Sequence, residues 1–169
     1  PDEIKAEIHS LRDALAFYRH ARDLGLRVLM YLSSSTPGTP TTIAEITDRF
    51  DVSHHHLTKV VQFMGQQGWL ITARGKGGGI SLAMDLRGYR LGDTIRALER
   101  NDELIDCAEP PCALRGQCSL KGLLHNAQEV FYQALNQHTL ADAVASPTRE
   151  AIIQLHRIPL RQTGECVVV

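Results

Sequence analysis

The stretch VSHHHLTKVVQFMGQQGWLITARGKGGGISL, residues 52–82, decides the fold. Within it, Ser53 is a favourable N-cap for a helix over HHHLTKVVQFMGQQG, and the helical period gives this segment one apolar face. The inward positions of that face are Leu57, Val60, Val61 and Met64. Upstream, Thr41 or Thr42 would cap a short helix over IAEITDRF, with Glu45 placed as in a capping box. Two short helices joined by a tight turn indicate a helix-turn-helix.

Two short β-runs, WLITA and ISLAM, follow the second helix and flank the turn RGKGGG at residues 74–79. A helix-turn-helix followed by a hairpin predicts a winged helix, so the expected fold class is mainly α with a small β-hairpin wing. A nucleotide site is not expected at this turn, because it lacks the GxxxxGK[ST] spacing and lies between two strands. Its glycines suit a plain hairpin turn, whereas Arg74 and Lys76 suit a wing placed against DNA phosphates.

The exposed positions of these helices and of the wing supply the candidate DNA-contacting residues. Three consecutive histidines could suggest a metal site, but neighbouring residues on a helix point about 100° apart and cannot all face one ion. Contacts to phosphates or base edges are the better interpretation, with packing of one ring as the plain alternative. The predicted DNA contacts are Thr42, Ser53, His54, His55, His56, Thr58, Lys59, Gln62, Arg74 and Lys76.

Composition limits the classes of protein to consider. The 169-residue chain has a net charge of -1, so DNA contact has to come from a local patch rather than from overall charge. No apolar run approaches the roughly 18 residues that span a bilayer, and the first residues lack signal-peptide features. These observations predict a cytoplasmic protein without a membrane partner. A redox enzyme is not expected, because no flavin or nucleotide motif is present.

The remaining segments are also helical in their pattern. Apolar positions at helical spacing occur over residues 3–33, and YRLGDTIRALER predicts a helix over residues 89–100. From Leu120 a long helix resumes, and its apolar stripe is broader than a small domain needs, which predicts a dimer partner. The stripe consists of Leu123, Leu124, Ala127, Val130, Phe131, Ala134 and Leu135. From Ser146 onward, the chain is expected to form a weakly ordered tail.

Three of the four cysteines lie in CAEPPCALRGQC, the cysteine loop of residues 107–118. A disulfide would leave one thiol unpaired and needs oxidising surroundings. The spacing Cys107-x4-Cys112-x5-Cys118 lacks the CxxC pair of most structural zinc sites. Three thiolates in an irregular loop can hold an iron–sulfur cluster with a fourth ligand from elsewhere. Spacing favours iron–sulfur but leaves zinc open, and Cys166 is most simply a lone tail thiol.

Taken together, these motifs resemble the NsrR type of iron–sulfur winged-helix repressor, in the family that also contains the IscR regulators of cluster biogenesis. The matching segments, in collinear order around the cysteines, are DLGLRVLMYL at 23–32, VSHHHLTKVV at 52–61, GWLITARGKGGGISL at 68–82, LGDTIRALE at 91–99 and HTLADAV at 138–144. The x4 and x5 cysteine spacing is similar to NsrR. Lys121 stands where the biogenesis regulators place a ligand histidine.

The resemblance implies a homodimeric transcriptional repressor that is not an enzyme and binds double-stranded operator DNA. It implies a cluster held by Cys107, Cys112 and Cys118, either 2Fe-2S or 4Fe-4S, with Asp23 of the other subunit as an oxygen ligand. Asp13 and His20 are the fallback ligands. In this family nitric oxide attacks the cluster, and the repressor then leaves its operator and derepresses nitrosative-stress genes. The alternatives are a cluster-sensing or redox-sensing regulator of cluster biogenesis and a zinc-stabilised winged-helix regulator.

Motifs and resemblance together divide the chain into five parts. An N-terminal extension is expected over residues 1–15, because the family pattern starts after it, and the winged helix-turn-helix domain over 16–100. A cluster-binding loop is expected over 101–119, a long C-terminal dimerisation helix over 120–145 and a flexible tail over 146–169.

Overall fold

A computed structural model describes residues 21–35, 40–73, 75, 77–99, 104–108 and 110–160. Over these ranges the protein is mainly helical with one two-stranded antiparallel sheet, which confirms the predicted fold class. None of the helices in the described ranges is both long enough and apolar enough to cross a bilayer. The predicted extension over residues 1–15 lies outside them.

The helix-turn-helix forms where the sequence predicts it. Helix α1 is described over residues 21–32, and it is followed by α2 (Ile43–Phe50) and α3 (His54–Gln66). The Thr42 side chain caps α2 by accepting the Glu45 N–H at 3.1 Å. Asp51 ends α2 with a φ of 50° and turns the chain toward α3. The four inward positions predicted for α3 are all buried, because the helical period places them on the face that packs against the core.

The wing is a hairpin of β1 (Leu70–Ala73) and β2 (Gly79–Leu82). Its register places Leu70 opposite Leu82 and Ala73 opposite Gly79. The Ile80 N–H donates to the Thr41 carbonyl oxygen at 2.8 Å, so the second strand is tied to the residue just before the cap of α2. This backbone hydrogen bond therefore joins the wing directly to the helix-turn-helix.

Four helices follow the wing. After a 3-10 turn (Leu86–Gly88) come α4 (Leu91–Glu99), α5 (Ser119–Leu135), α6 (Leu140–Ala143) and α7 (Thr148–Arg157). Helices α4 and α5 cross so closely that a Cβ added to Gly92 would lie 2.2 Å from the Tyr132 backbone oxygen. At the end of this crossing, the Asn136 side chain donates to the Asp93 carboxylate at 2.6 Å and accepts the Asp93 N–H at 2.9 Å.

The helix predicted over 120–145 is shorter in the structure, because α5 ends at Leu135. Residues 136–139 turn back toward α4, where the His138 carbonyl oxygen accepts the Leu91 N–H at 3.0 Å. Thr139 then starts α6 with a capping box, in which its N–H donates to the Asp142 carboxylate at 2.7 Å. The capping box therefore begins α6 as a separate helix, at a point where the sequence predicts that the long helix continues to residue 145.

The flexible tail predicted from Ser146 is wrong for residues 148–157, which form α7. Ile152 on α7 is 7% exposed and belongs to the same core as α1. The His156 ring stacks on the Tyr31 ring at 3.9 Å between centroids, and its Nε2 lies 2.9 Å from the Tyr31 carbonyl oxygen. Helix α7 is thus held by apolar burial and by one polar contact, while residues 161–169 lie outside the described ranges.

Candidate nucleic-acid interface and cysteine loop

Helix α3 has the two faces expected of a recognition helix. Ser53 accepts the His56 N–H at 3.5 Å, which satisfies one amide at the exposed start of the helix. Within α3 the exposed residues among the predicted contacts are His54, His55, Thr58, Lys59 and Gln62, and His56 is half-buried. The two cap residues among the predicted contacts, Thr42 and Ser53, are also exposed. The structure therefore places the α3 side chains of this set on one accessible end and side of the helix. Contact of the whole set with DNA stays a prediction.

The capping box predicted for α2 is only half formed. Thr42 makes its cap bond, but the Glu45 carboxylate accepts a hydrogen bond from the Tyr31 hydroxyl at 2.6 Å. Burial, helped by the bond to Glu45, raises the pKa of Tyr31 to about 12. The Tyr31 hydroxyl therefore stays protonated and keeps donating to Glu45, which ties α1 to α2. The Tyr31 ring is also the one on which His156 of α7 stacks.

The base of the wing is fastened by Tyr89, a residue that sequence reasoning did not single out. Its side chain is 2% exposed, and its hydroxyl donates to the Trp69 carbonyl oxygen at 2.7 Å. The hydroxyl oxygen of Tyr89 also accepts the N–H groups of Ala83 and Met84 at 3.2 and 3.3 Å. One hydroxyl thus joins the residue before β1 to the residues after β2. Burial raises the pKa of Tyr89, which keeps the donor proton in place.

We expect Tyr89→Phe to lower the free energy of unfolding by about 1 kcal/mol, because the Met84 N–H loses its partner, whereas the Ala83 N–H and the Trp69 carbonyl oxygen keep their bond to each other at 3.0 Å. Urea unfolding followed by circular dichroism measures this loss. The same variant should bind duplex DNA more weakly, because the wing loses its fixed base. Unchanged stability together with unchanged DNA affinity would show that the three hydrogen bonds do not hold the wing.

At the wing tip, Gly75 and Gly77 have φ values of 93° and 84°. These positive values account for the glycines as turn formers, as the plain hairpin interpretation predicts. Arg74 and Lys76 lie outside the described residues, so their predicted phosphate contacts stay predictions.

The cysteine loop is irregular, as its prolines predict. Its turns are held by backbone bonds, in which the Cys112 N–H donates to the Cys107 carbonyl at 3.2 Å and the Arg115 N–H to the Cys112 carbonyl at 3.0 Å. All three thiols are free. Cys118 is the N-cap residue of α5, but its side chain makes no cap hydrogen bond. The loop therefore offers three uncommitted thiols between α4 and α5.

The donor chemistry of this loop suits an iron–sulfur cluster. Three soft thiolates match the ligands that such clusters take. A single zinc ion needs three or four donors at one point, and no three His, Cys, Asp or Glu side chains of the described residues are grouped in that way.

The fourth predicted ligand lies on another element. Asp23 is on α1, where its carboxylate pairs with the Arg27 guanidinium at 3.0 Å and is about half exposed. Within one chain, the structure does not bring Asp23 together with the cysteines as a metal-binding group. Its assignment to the cluster of a second subunit stays a prediction. Asp13 and His20 lie outside the described residues.

A network of charged side chains joins the loop's two flanking helices to α1. Glu99 on α4 accepts hydrogen bonds from Arg22 of α1 and from the Tyr132 hydroxyl of α5. Arg96 on α4 pairs with Glu129 of α5 and lies over the Tyr132 ring at 4.3 Å. The hydrogen bond from Arg96 lowers the pKa of the Glu129 carboxyl. Sequence reasoning missed this network, because each of its residues looks like an ordinary surface charge until the helices are placed.

Helix α5 exposes an apolar strip along most of its length. Leu120, Leu123, Val130 and Phe131 are 56%, 66%, 64% and 51% exposed, and Ala127 and Ala134 are also exposed. Exposed apolar residues in a continuous strip typically mark an interaction surface. The strip coincides with most of the stripe from which the sequence predicts a dimer partner.

The comparisons with known proteins agree with this architecture. A family model for Rrf2, described as an iron-dependent transcriptional regulator, matches residues 19–146. CymR of B. subtilis, described as its global cysteine regulator, is 22% identical over 73% of this chain and 92% of its own, with a TM-score of 0.58. IscR of T. potens is 22% identical over 78% and 85%, also with a TM-score of 0.58. CymR of Staphylococcus aureus is 24% identical over 71% and 91%, with a TM-score of 0.54.

These structural likenesses show a shared fold, and the family match extends over the winged helix, the cysteine loop and α5. The family consists of transcriptional regulators rather than enzymes, and its members bind operator DNA and are typically dimeric. The chain therefore belongs to the Rrf2 family of transcriptional regulators.

Proposed function

We propose that this chain is a dimeric transcriptional repressor of the NsrR type, which releases its operator when nitric oxide reaches an iron–sulfur cluster. The observation that carries the proposal is the position of three free cysteines between α4 and α5. On one side of them is the winged helix that would bind DNA, and on the other is the helix with the exposed apolar strip. The cytoplasm, where operator DNA is found, is the proposed location.

Cys107, Cys112 and Cys118 would hold the cluster. Cys118 is the N-cap residue of α5, so the third ligand lies directly at the start of that helix. Asp23 would be the fourth ligand, supplied across the dimer, and it would have to share its carboxylate with Arg27. When bound, the cluster supplies iron that binds small π-accepting molecules such as nitric oxide. The iron-dependent description of the family supports iron at this site.

The charged network gives the loop a route to the DNA-binding unit. Glu99 is the last residue of α4, on the N-terminal side of the loop, and is bonded to both α1 and α5. Tyr31, near the end of α1, is in turn bonded to Glu45 of α2. A change in the loop that moves Glu99 therefore displaces α1 and, through it, α2 beside the recognition helix. In a dimer joined through α5, this displacement changes the spacing between two recognition helices, which must match the spacing of two half-sites.

The test uses protein purified without oxygen and a duplex that it selects from a random-sequence pool. We expect iron and acid-labile sulfide in the purified protein, tight binding to the duplex and release of the duplex on addition of nitric oxide. Cys112→Ala should abolish iron and sulfide retention and the nitric oxide response. Cys166→Ala is the matched control, since it removes the one cysteine outside the loop, and it should leave both unchanged.

Other outcomes separate the alternatives. Zinc without iron or sulfide would identify a zinc-stabilised regulator. If the protein contains a cluster that reacts completely with nitric oxide, and DNA binding does not change, the proposal of nitric oxide sensing is contradicted. That result would favour a regulator of cluster biogenesis. If no duplex is selected, the DNA-binding proposal itself fails.

A further inference from the structure

The chain leaves α7 at a proline and lies against α2. Ile158, the residue before Pro159, has an extended conformation with a φ of -66° and a ψ of 131°. A residue that precedes proline avoids the helical region, so α7 cannot continue past this point. The Pro159 carbonyl oxygen then accepts a hydrogen bond from Arg49 of α2 at 3.4 Å. The residues after α7 are therefore held at the surface of the helix-turn-helix.

Leu160, the next residue, lies in a groove beside the recognition helix. The groove has a volume of about 410 Å³ and is formed by residues of α2 and of the turn that leads into α3. Thr42, Val52 and His54 line it together with Leu160. Leu160 is 45% exposed, so about half of its surface is covered. An aliphatic side chain thus lies where the two helices of the helix-turn-helix meet.

This groove overlaps with the surface that is predicted to contact DNA. Thr42 caps α2, and His54 is the first residue of α3. Both are exposed, and both are among the predicted contacts. In a helix-turn-helix, the first helix crosses the DNA backbone and the start of the second helix meets the base edges. A DNA backbone that approaches Thr42 and His54 therefore enters the space that Leu160 occupies.

The segment after α7 is held less firmly than α7 itself. Ile152 on α7 is 7% exposed, and the His156 ring stacks on the Tyr31 ring, so the helix is anchored in the core. The segment beyond it has the hydrogen bond from Arg49 and the half-burial of Leu160. Segments with few buried contacts open at a low cost in free energy. These residues can therefore leave the groove while α7 stays in place.

From these contacts, we propose that residues 158–160 form an autoinhibitory strap, in which Leu160 occupies the groove in the free protein and leaves it when duplex DNA binds. This inference rests on the proposed DNA-binding function. Covering half of a leucine favours the closed position by roughly fivefold at most, and part of that cover comes from the strap itself. The strap therefore weakens DNA binding by about threefold in each subunit and by roughly tenfold in a dimer.

The first experiment measures Kd by fluorescence anisotropy with the selected duplex described above. Leu160→Ser removes the apolar contact in the groove, so its Kd should be roughly tenfold lower than that of the parent protein. Ile158→Ser is the matched control, because Ile158 belongs to the same segment and is 54% exposed but does not line the groove. Its Kd should equal that of the parent. Urea unfolding verifies that the two variants are equally stable.

The second experiment follows the strap itself by limited digestion with trypsin. Arg161 directly follows Leu160 in the sequence, and mass spectrometry gives the rate of cleavage after it. This rate tracks the population of the open segment. Without DNA, Leu160→Ser should be cleaved about threefold faster than the parent protein or Ile158→Ser. A saturating amount of duplex should accelerate cleavage of the parent, whereas it should leave the rate for Leu160→Ser almost unchanged.

Three results would overturn the inference. These are equal affinity of Leu160→Ser and the parent protein for the duplex, equal cleavage of the two proteins without DNA, and slower cleavage of the parent when the duplex is bound. Failure of every variant to bind any duplex would instead contradict the proposed function. The cleavage rates without DNA would still decide whether Leu160 holds the strap in the groove, so the two failures are distinguishable.

Discussion

Gly92→Ala is expected to lower the free energy of unfolding by about 3 kcal/mol, because a side chain is added where two helices touch through their backbones. Its Cβ would lie 2.2 Å from the Tyr132 carbonyl oxygen and 2.7 Å from Asn136 Oδ1. A backbone oxygen inside a helix cannot move aside alone, so α4 and α5 must separate. That separation also weakens the paired hydrogen bonds between Asp93 and Asn136. Urea unfolding measures the change.

Two other glycines provide graded controls for this prediction. At Gly122 of α5 an added Cβ meets nothing within 4 Å, so Gly122→Ala should stabilise the protein by about 0.5 to 1 kcal/mol through helix propensity. At Gly25 the Cβ would lie 2.5 Å from Leu98 Cδ2, an atom of a buried side chain rather than of a helix backbone. Gly25→Ala should therefore fall between the two. A Gly92 variant as stable as the Gly122 variant would mean that α4 and α5 do not pack this closely.

Ile152→Ala should have the second large effect, a loss of about 3 kcal/mol. Ile152 is the buried apolar residue of α7 and belongs to the core that contains α1. Its truncation leaves a cavity beside side chains that cannot fully close it. Thermal and urea unfolding measure the loss, and the His156 contact to Tyr31 should weaken with it.

Ile158→Ala is the matched control, because Ile158 is 54% exposed just after the end of α7. The same chemical change should therefore cost little there. If both variants were as stable as the parent protein, α7 would not be docked, and the weakly ordered tail predicted from the sequence would be right.

Much of the DNA-binding unit could be predicted because its signals are local. Capping by Thr42 and Ser53 depends on residues three positions apart, and the buried face of α3 follows from the helical period. The wing could be predicted for the same reason, since a glycine turn between two β-runs is a short-range pattern. Each of these features is decided within about ten residues of chain.

The features that sequence reasoning missed depend on contacts between distant residues. Tyr89 bonds to Trp69, Glu99 bonds to Arg22 and Tyr132, and α7 is held against Tyr31. A single sequence does not distinguish a tyrosine whose hydroxyl bonds to the wing from a tyrosine that only packs in the core. The prolines at 147 and 159 suggested disorder, yet Pro147 stands at the start of α7, a position where proline is tolerated.

The candidate metal site stays a prediction, because the sequence indicates possible donors but not how they are arranged. Cysteine type and spacing indicate the donors, and the structure places all three in an irregular loop with free thiols. A ligand from another subunit has no sequence signal of its own. Asp23 was assigned only through the resemblance to NsrR, and its visible partner is Arg27.

The docking of α7 against α1 also has a consequence for the order in which the protein is made. A ribosome releases the chain from its N-terminus, so α1, α2 and α3 emerge long before Ile152 and His156 have been synthesised. Until then the surface around Tyr31 that α7 covers stays open to water and to chaperones. We therefore expect the DNA-binding unit to reach its full stability only when α7 has left the ribosome, although its own residues come first.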